Sequence, residues 1–251
     1  MRRAFSPGSL EAADLLQGRV EPNYYKVLTR LLAAHALAEK LTALGYQRAA
    51  GFIDDPALSG IVAKNLAEER KHARLVYHAL AELNIDEAHA DRSMLMALKA
   101  PSFVAPRQFA EHAKNDLDLV MASVSLDMTG LIMIGVNYKD SSYAPHARAA
   151  EVILAEEEEH ELFAANELRD AVARLGAERV NAGLREWLPR AVNFFGPPGS
   201  GFTYDCIRYG LKSRDNGELA ELYLSLLERR VAQARLVMPR LTNSYPHQLA
   251  D

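Results

Sequence analysis

Two short stretches carry the residues best suited to chemistry. Glu69 and His72 stand three apart in Leu66-Ala67-Glu68-Glu69-Arg70-Lys71-His72. Glu157 and His160 stand three apart in Glu156-Glu157-Glu158-Glu159-His160. On a helix, positions i and i+3 share a face, so each Glu-x-x-His pair aims two metal-binding side chains the same way. Two such pairs on two helices, with one carboxylate from each of two further helices, form the ligand set of a di-iron or di-manganese four-helix bundle. The chemistry fits the residue types. Two metal ions take bridging and terminal oxygens from carboxylates and one imidazole nitrogen each, a donor set that suits iron or manganese rather than structural zinc.

The two further carboxylates emerge from spacing. Glu39 lies thirty residues before Glu69, and Asp127 thirty before Glu157. The midpoint of the first pair is Asp54, inside the helix-breaking Asp54-Asp55-Pro56; that of the second is Ser142, inside Lys139-Asp140-Ser141-Ser142-Tyr143. Residues equidistant from the turn of an antiparallel hairpin sit at one level, here about 22 Å from the bend at the usual helical rise. Glu39 is therefore expected beside Glu69, and Asp127 beside Glu157, as two hairpins each with a carboxylate on the first helix and Glu-x-x-His on the second.

The elements that must position these groups read as helices. Apolar residues recur at helical spacing from Tyr24 to Phe52 (Val27, Leu28, Leu31, Leu32, Leu37, Leu41, Leu44). Pro56 opens a second helix running to about Leu83, and a shorter helical connector covers Asn84 to Lys99. A third long helix is expected over Arg107 to Asn137, and a fourth from Pro145 to Leu175. Helical segments follow near 178–190 and 217–238, separated by Phe194-Phe195-Gly196-Pro197-Pro198-Gly199-Ser200-Gly201, too rich in Gly and Pro for helix. Residues 1–21 read as a short helix and a linker. No stretch alternates like a strand. The expected fold is all-α: one ferritin-like four-helix bundle domain over 1–251, with its core at about 22–175 and additional C-terminal helices at about 178–241.

Composition narrows the function classes. The 251 residues are 49% hydrophobic and 25% charged, as in an ordinary globular protein. A net charge of -4 with scattered Lys and Arg leaves no nucleic-acid footprint. One cysteine, Cys206, excludes an internal disulfide and a thiolate zinc site, and accords with a reducing cytoplasm. The opening Met1-Arg2-Arg3-Ala4-Phe5-Ser6-Pro7 has no apolar region of a signal peptide. Leu119 to Val136 is nearly all apolar, but it is short for a membrane span and carries Asp127, Ser123, Ser125 and Thr129, so a helix buried in a bundle is expected.

Each signal also has an ordinary reading. One Glu-x-x-His can be a solvated helix face, the run of four Glu an exposed acidic patch, and Asp127 a core Asp bonded to Ser or Thr. His35, one turn before Glu39, can support a ligand or simply be a satisfied core histidine, and Tyr77 is best read as packing. Together, however, two pairs, two equal spacings and two turns at the midpoints point to Glu39, Glu69, His72, Asp127, Glu157 and His160 as ligands.

Several blocks resemble a known family. Val20-Glu21-Pro22 leading to Ala34-His35-Ala36-Leu37-Ala38-Glu39, then Ser142-Tyr143-Ala144-Pro145-His146-Ala147-Arg148-Ala149, is similar to the ligand helices of the catalytic A subunits of phenylacetyl-CoA epoxidases, in the phenylacetic acid catabolic group of ferritin-like proteins. Trp187-Leu188-Pro189 with Phe195-Gly196-Pro197, and Lys212-Ser213-Arg214-Asp215-Asn216-Gly217-Glu218-Leu219, resemble further signatures of that family. It also has Asp at the position matching Asp127. The region between Leu83 and Phe109 and that around Leu131 to Tyr138 match poorly.

The resemblance implies a di-iron monooxygenase that inserts one atom of O2 into an aromatic acyl-CoA, with Glu39, Glu69, Asp127 and Glu157 at the catalytic centre. It implies a related metal-free helical partner subunit, an iron–sulfur flavin reductase as electron donor, and an oligomer. A CoA tail would call for cations at the pocket mouth, for which Lys212 and Arg214 are candidates. The competing expectations are an oxygenase acting on a non-CoA substrate, an iron-handling protein with no organic substrate, and a scaffold subunit. An apolar tunnel to the site favours an oxygenase, a carboxylate-lined channel favours iron handling, and lost ligands would mark a scaffold.

Overall fold

Four long helices pair as two antiparallel hairpins in the computed structural model, which describes residues 3–250. The basic opening at Met1 and Arg2, like Asp251 at the other end, lies outside the described residues. The first hairpin is α2 (Pro22–Ala49) and α3 (Pro56–Ala81), following the short α1 (Ala12–Leu16). The small helices α4 (Glu87–Met94) and α5 (Val104–His112) connect it to the second hairpin, α6 (Asp116–Tyr138) and α7 (Ala144–Leu175). Three more helices complete the chain: α8 (Ala177–Phe194), α9 (Gly201–Arg208) and α10 (Asn216–Gln233). The fold is all-α, a ferritin-like bundle with C-terminal helices added, and no strand forms among the described residues.

Local chemistry sets the boundaries. Pro22 and Pro56 occupy first-turn positions, where a missing N–H costs nothing. The Asp55 side chain caps α3 by accepting from the N–H groups of Ala57 and Leu58, both at 2.9 Å. The second bend is buried rather than exposed. Ser141 and Ser142 have no accessible surface. Gly8 N–H donates to Ser141 O (2.8 Å), Leu10 N–H to Ser142 O (3.0 Å), and Ser142 N–H to Gly210 O (2.8 Å). The N-terminal segment and the loop after α9 thus satisfy the turn's backbone groups.

The third long helix expected over Arg107 to Asn137 is two. The chain leaves helical geometry after His112, and Asn115 starts α6 afresh by accepting from Leu117 N–H (3.0 Å) and Asp118 N–H (3.3 Å). A strong cap overrode continuous apolar spacing. α6 also contains two π turns, Ser123–Asp127 and Met133–Tyr138, each adding a residue to the local turn. At the C-terminal side, α8 runs through Pro189 to Phe194, and α9 forms in a stretch with too few periodic residues to be anticipated. The irregular segment shrinks accordingly to 195–200.

α6 is long and apolar enough to cross a membrane by length and composition, yet most of it is buried inside the protein. Its apolar surface is covered by α7 on one side and by α8 and α10 on the other. α5 lies across α2, where Tyr46 meets Phe109 edge-on with ring centroids 5.1 Å apart. That approach is possible because residue 45 is glycine: a Cβ there would fall 2.1 Å from the Phe109 ring.

Gly45→Ala should therefore lower unfolding free energy by about 1–3 kcal/mol, the usual range for overpacking. Gly60 in α3 has open space where a Cβ would go. Gly60→Ala should raise stability by up to about 1 kcal/mol through helix propensity alone. Chemical denaturation of the two variants checks the contrast.

Candidate metal centre

All six predicted side chains meet inside the bundle. α2 supplies Glu39, α3 supplies Glu69 and His72, α6 supplies Asp127, and α7 supplies Glu157 and His160. Each is buried. Among the described residues two clusters form: Glu39, Glu69, His72 and Glu157; and Glu69, Asp127 and His160. Within each, one donor atom per residue lies within 4.8 Å of the others.

The distances set two of the acids between the imidazoles. His72 Nδ1 is 3.9 Å from Glu69 Oε2 and 3.6 Å from Glu157 Oε1. His160 Nδ1 is 3.6 Å from Glu69 Oε1 and 3.9 Å from Glu157 Oε1. Glu69 and Glu157 therefore face both imidazoles. Glu39 Oε2 lies 3.7 Å from His72 Nδ1, on one side, while Asp127 groups with His160 on the other. The acids are shared across the hairpins rather than sorted by hairpin: Glu157 joins the cluster of Glu39, and Glu69 joins both.

In the run Glu156 to Glu159 only Glu157 is buried; Glu156 is half-buried, while Glu158 and Glu159 are exposed. Gly130 in α6 gives Glu157 its space, since a Cβ there would sit 2.9 Å from Glu157 Oε2.

Each imidazole is braced from the opposite hairpin. His72 Nε2 lies 2.9 Å from Glu156 Oε2, and His160 Nε2 lies 2.9 Å from Glu68 Oε2. A carboxylate only accepts, so the facing Nε2 carries the proton and Nδ1 is left as a lone pair aimed at the centre. Lys71 pairs with Glu156, and Lys64 lies 3.7 Å from Glu68, holding the braces in turn. These two acids were missed in the sequence. Their signal was present, because each directly precedes the Glu of a Glu-x-x-His pair, making both copies Glu-Glu-x-x-His.

The terminal carboxylates are held as well. His35 Nε2–H donates to Glu39 Oε1 (2.8 Å), so His35 does support a candidate ligand. Its Nδ1 lies 3.1 Å from His146 Nε2, and His146 Nδ1 lies 3.3 Å from Ser141 Oγ. Tyr46 O–H reaches both oxygens of Asp127 (3.2 and 3.1 Å), and Asn65 Nδ2–H donates to Tyr46 at 3.2 Å. Tyr77 instead donates to Asp91 (2.5 Å), away from the cluster.

Charge explains why this arrangement asks for cations. Burial, then repulsion from Glu39 and the other acids, pushes Glu69 and Glu157 well above the usual carboxyl range. Burial, offset in part by the Tyr46 hydrogen bond and reinforced by Glu39, pushes Asp127 up to about 8. Burial would raise Glu39 too, but hydrogen bonds and charge from His35 and His72 outweigh it and hold Glu39 low. Among the described residues eight buried side-chain polar atoms have no hydrogen-bond partner, and four of them belong to the candidate ligands: Glu69 Oε2, Glu157 Oε2, His72 Nδ1 and His160 Nδ1. Buried polar atoms are seldom left unpaired, and only here do several gather at one point. Two acceptor-rich gaps of this composition fit two divalent ions of the iron or manganese type.

Glu156→Ala or Glu68→Ala should weaken metal binding about 10–100-fold with the helix content unchanged, as measured by chelator competition and circular dichroism. The metal-free protein should also show an inverted acid response. Asp127 holds its proton in the folded state up to about 8, against an ordinary 3.8, so folding takes up a proton across that window. Stability contributed by the neutral form is present at low pH and is lost as pH rises through about 8. Thermal unfolding of the metal-free protein across this range should show the decline, and saturating Fe(II) or Mn(II) should remove it.

Comparison with known proteins agrees with this picture. No curated protein matches the chain. The family model of the phenylacetic acid catabolic proteins matches residues 24–248, nearly the whole chain. With both hairpins and the added C-terminal helices inside that match, the chain belongs to the phenylacetic acid catabolic protein family.

Proposed function

We propose that the protein is an O2-dependent di-iron monooxygenase that inserts one oxygen atom into an apolar, aromatic acyl substrate, presented as a CoA thioester or as the acid itself. The observation that carries this reading is a cavity of about 480 Å³ that ends on Glu39, Glu69, Asp127 and Glu157. Its walls are largely apolar, with Phe103, Leu126, Met133, Ile134 and Phe195 among them. A volume of this order encloses a small organic molecule. An iron-handling protein would be served by a polar, carboxylate-lined channel; apolar walls favour an organic substrate. The presence of all six candidate ligands argues against a purely scaffolding subunit.

Glu39, Glu69, His72, Asp127, Glu157 and His160 would hold the two irons, with manganese the alternative. Bound iron supplies the electrons for O2 activation, replenished by a separate reductase. One oxygen atom goes to the substrate; the other leaves as water with two electrons and two protons from the donor. The chain's own residues do the rest. His35 and Tyr46 fix the two terminal carboxylates, and Glu156 and Glu68 hold both imidazoles in the tautomer that presents Nδ1. Leu126, Met133 and Ile134 exclude water and keep the substrate's apolar body against the acids. A related helical subunit and a reductase are the partners this reading calls for.

The test is single-turnover oxidation. Fe(II)-loaded protein, a chemical reductant and 18O2 are mixed with aromatic acyl-CoA and free-acid candidates, and products are read by mass spectrometry. One 18O atom per product is the expected result, with His72→Ala reducing yield at least a hundredfold. Iron oxidation without any oxygenated organic product would instead favour iron handling.

A further inference from the structure

Two cations line the cavity, Arg30, which is exposed, and Lys212, which is buried. Lys212 was a candidate for the pocket mouth together with Arg214, but the two part ways: Arg214 is exposed, whereas Lys212 is only 4% exposed and lines the cavity that reaches the carboxylate cluster. The chain turns back after α9, with Lys212 N–H donating to Cys206 O at 3.2 Å, and this sends the lysine side chain inward.

The ammonium has one partner. Lys212 Nζ–H donates to Asn216 Oδ1 at 2.7 Å, and Asn216 Nδ2–H is itself held by Pro197 O at 3.1 Å. An ammonium carries three donors, so two remain. Among the described residues no carboxylate lies within ion-pair distance of it. The neighbouring acid, Asp215, is committed elsewhere: its Oδ1 accepts from Gly217 N–H (2.8 Å) and its Oδ2 from Gly199 N–H (2.9 Å). Burial holds the Lys212 pKa below its usual value, more than the charge of nearby Asp215 offsets. The other cation lining the cavity, Arg30, has its guanidinium over the Phe202 ring, 4.5 Å from the centroid. A buried, unpaired ammonium is costly unless something supplies a counter-charge.

Resting on the reading of the cavity as the substrate chamber, we propose that Lys212 binds the carboxylate of a small aryl carboxylic acid, making the free acid rather than its thioester the ligand this cavity selects. Two observations converge on that class. The anchor lies inside the cavity, where a carboxylate next to an aromatic ring can reach it, whereas the phosphates of a bulky carrier would remain outside. The largely apolar walls of the cavity accept the ring. Lys212 thus acts as a specificity-determining residue for a ligand with a charged head and an apolar body.

Calorimetric titration of the full chain, as purified and with its metal content measured separately, tests this. The probes are phenylacetate, phenylacetamide as its neutral isostere, and phenylacetyl-CoA. Phenylacetate should bind at least tenfold more tightly than the amide, and Lys212→Met should remove that preference while leaving amide binding and metal content unchanged. Lys212→Arg should retain part of it. Equal affinity for acid and amide in the unaltered protein overturns the proposal, as does binding of the thioester without binding of the free acid; neither comparison needs a variant to fold. Because no turnover is read, failure here leaves the oxygenase reading standing, whereas loss of metal binding would count against that reading alone.

Discussion

Four carboxylates in a dry helical core set the terms for the rest of the structure. Within an apolar bundle each charge costs free energy through lost hydration, and each adds repulsion to its neighbours. Protonation of Glu69, Glu157 and Asp127 relieves the repulsion, but it leaves Nδ1 of His72 and of His160 and one oxygen each of Glu69 and Glu157 without partners. A divalent ion would resolve both problems at once, replacing protons and filling the orphaned lone pairs. Metal binding and folding would then be coupled, since donors drawn from four helices come together only in the folded state.

The braces follow from the same constraint. A ligand must be held before the ion arrives, and here terminal ligands and imidazoles alike each touch a neighbour that removes their freedom: Glu39 touches His35, Asp127 touches Tyr46, His72 touches Glu156, and His160 touches Glu68. The last two contacts cross between hairpins. Each Glu-x-x-His helix holds the other's histidine, so α3 and α7 are tied at the depth of the site by two charge-assisted hydrogen bonds as well as by packing. The chain His35–His146–Ser141 extends the bracing from α2 to the buried turn between α6 and α7. That turn is in turn pinned by the N-terminal segment, which gives residues far from the centre a part in fixing Glu39.

How much of this could be read from the sequence depends on periodicity. Helical spacing and two turn signals were enough to pair Glu39 with Glu69 and to bring Asp127 to the same depth, because hairpin geometry relates chain position to height. Glu157 could be chosen from a run of four glutamates because His160 fixes the helical face. The break at Ala113 was hidden, since apolar residues continue through it and only Asn115, an ordinary cap residue, marks the restart. The π turns of α6 leave no compositional trace, because an extra residue per turn depends on packing against α7 and α8. Glu68 and Glu156 were legible but unread: on a charged helix a glutamate beside a ligand looks solvated until the facing helix is placed. The reach of Lys212 into the cavity was not legible at all, for it depends on how the loop after α9 folds back.

The C-terminal helices change what the bundle can do. With α2, α3, α6 and α7 alone, the carboxylate cluster would open past Ala34, Ala38 and Gly130, small residues that leave little cover. The end of α8, the Gly-Pro segment after it, α9 and the start of α10 are laid over this opening and contribute Phe195, Pro197, Phe202, Thr203, Lys212 and Asn216 to the cavity wall. The result is a chamber whose lining combines the acids with a buried ammonium and largely apolar walls. No carboxylate among the described residues lies within ion-pair distance of Lys212, so the chamber's opposite charges are not paired with each other. On the proposal made above, a ligand with one anionic head and an apolar ring would be oriented by the chamber's polarity rather than by many specific contacts, and the burial of one loop lysine, costly in itself, would be offset by the ligand's charge.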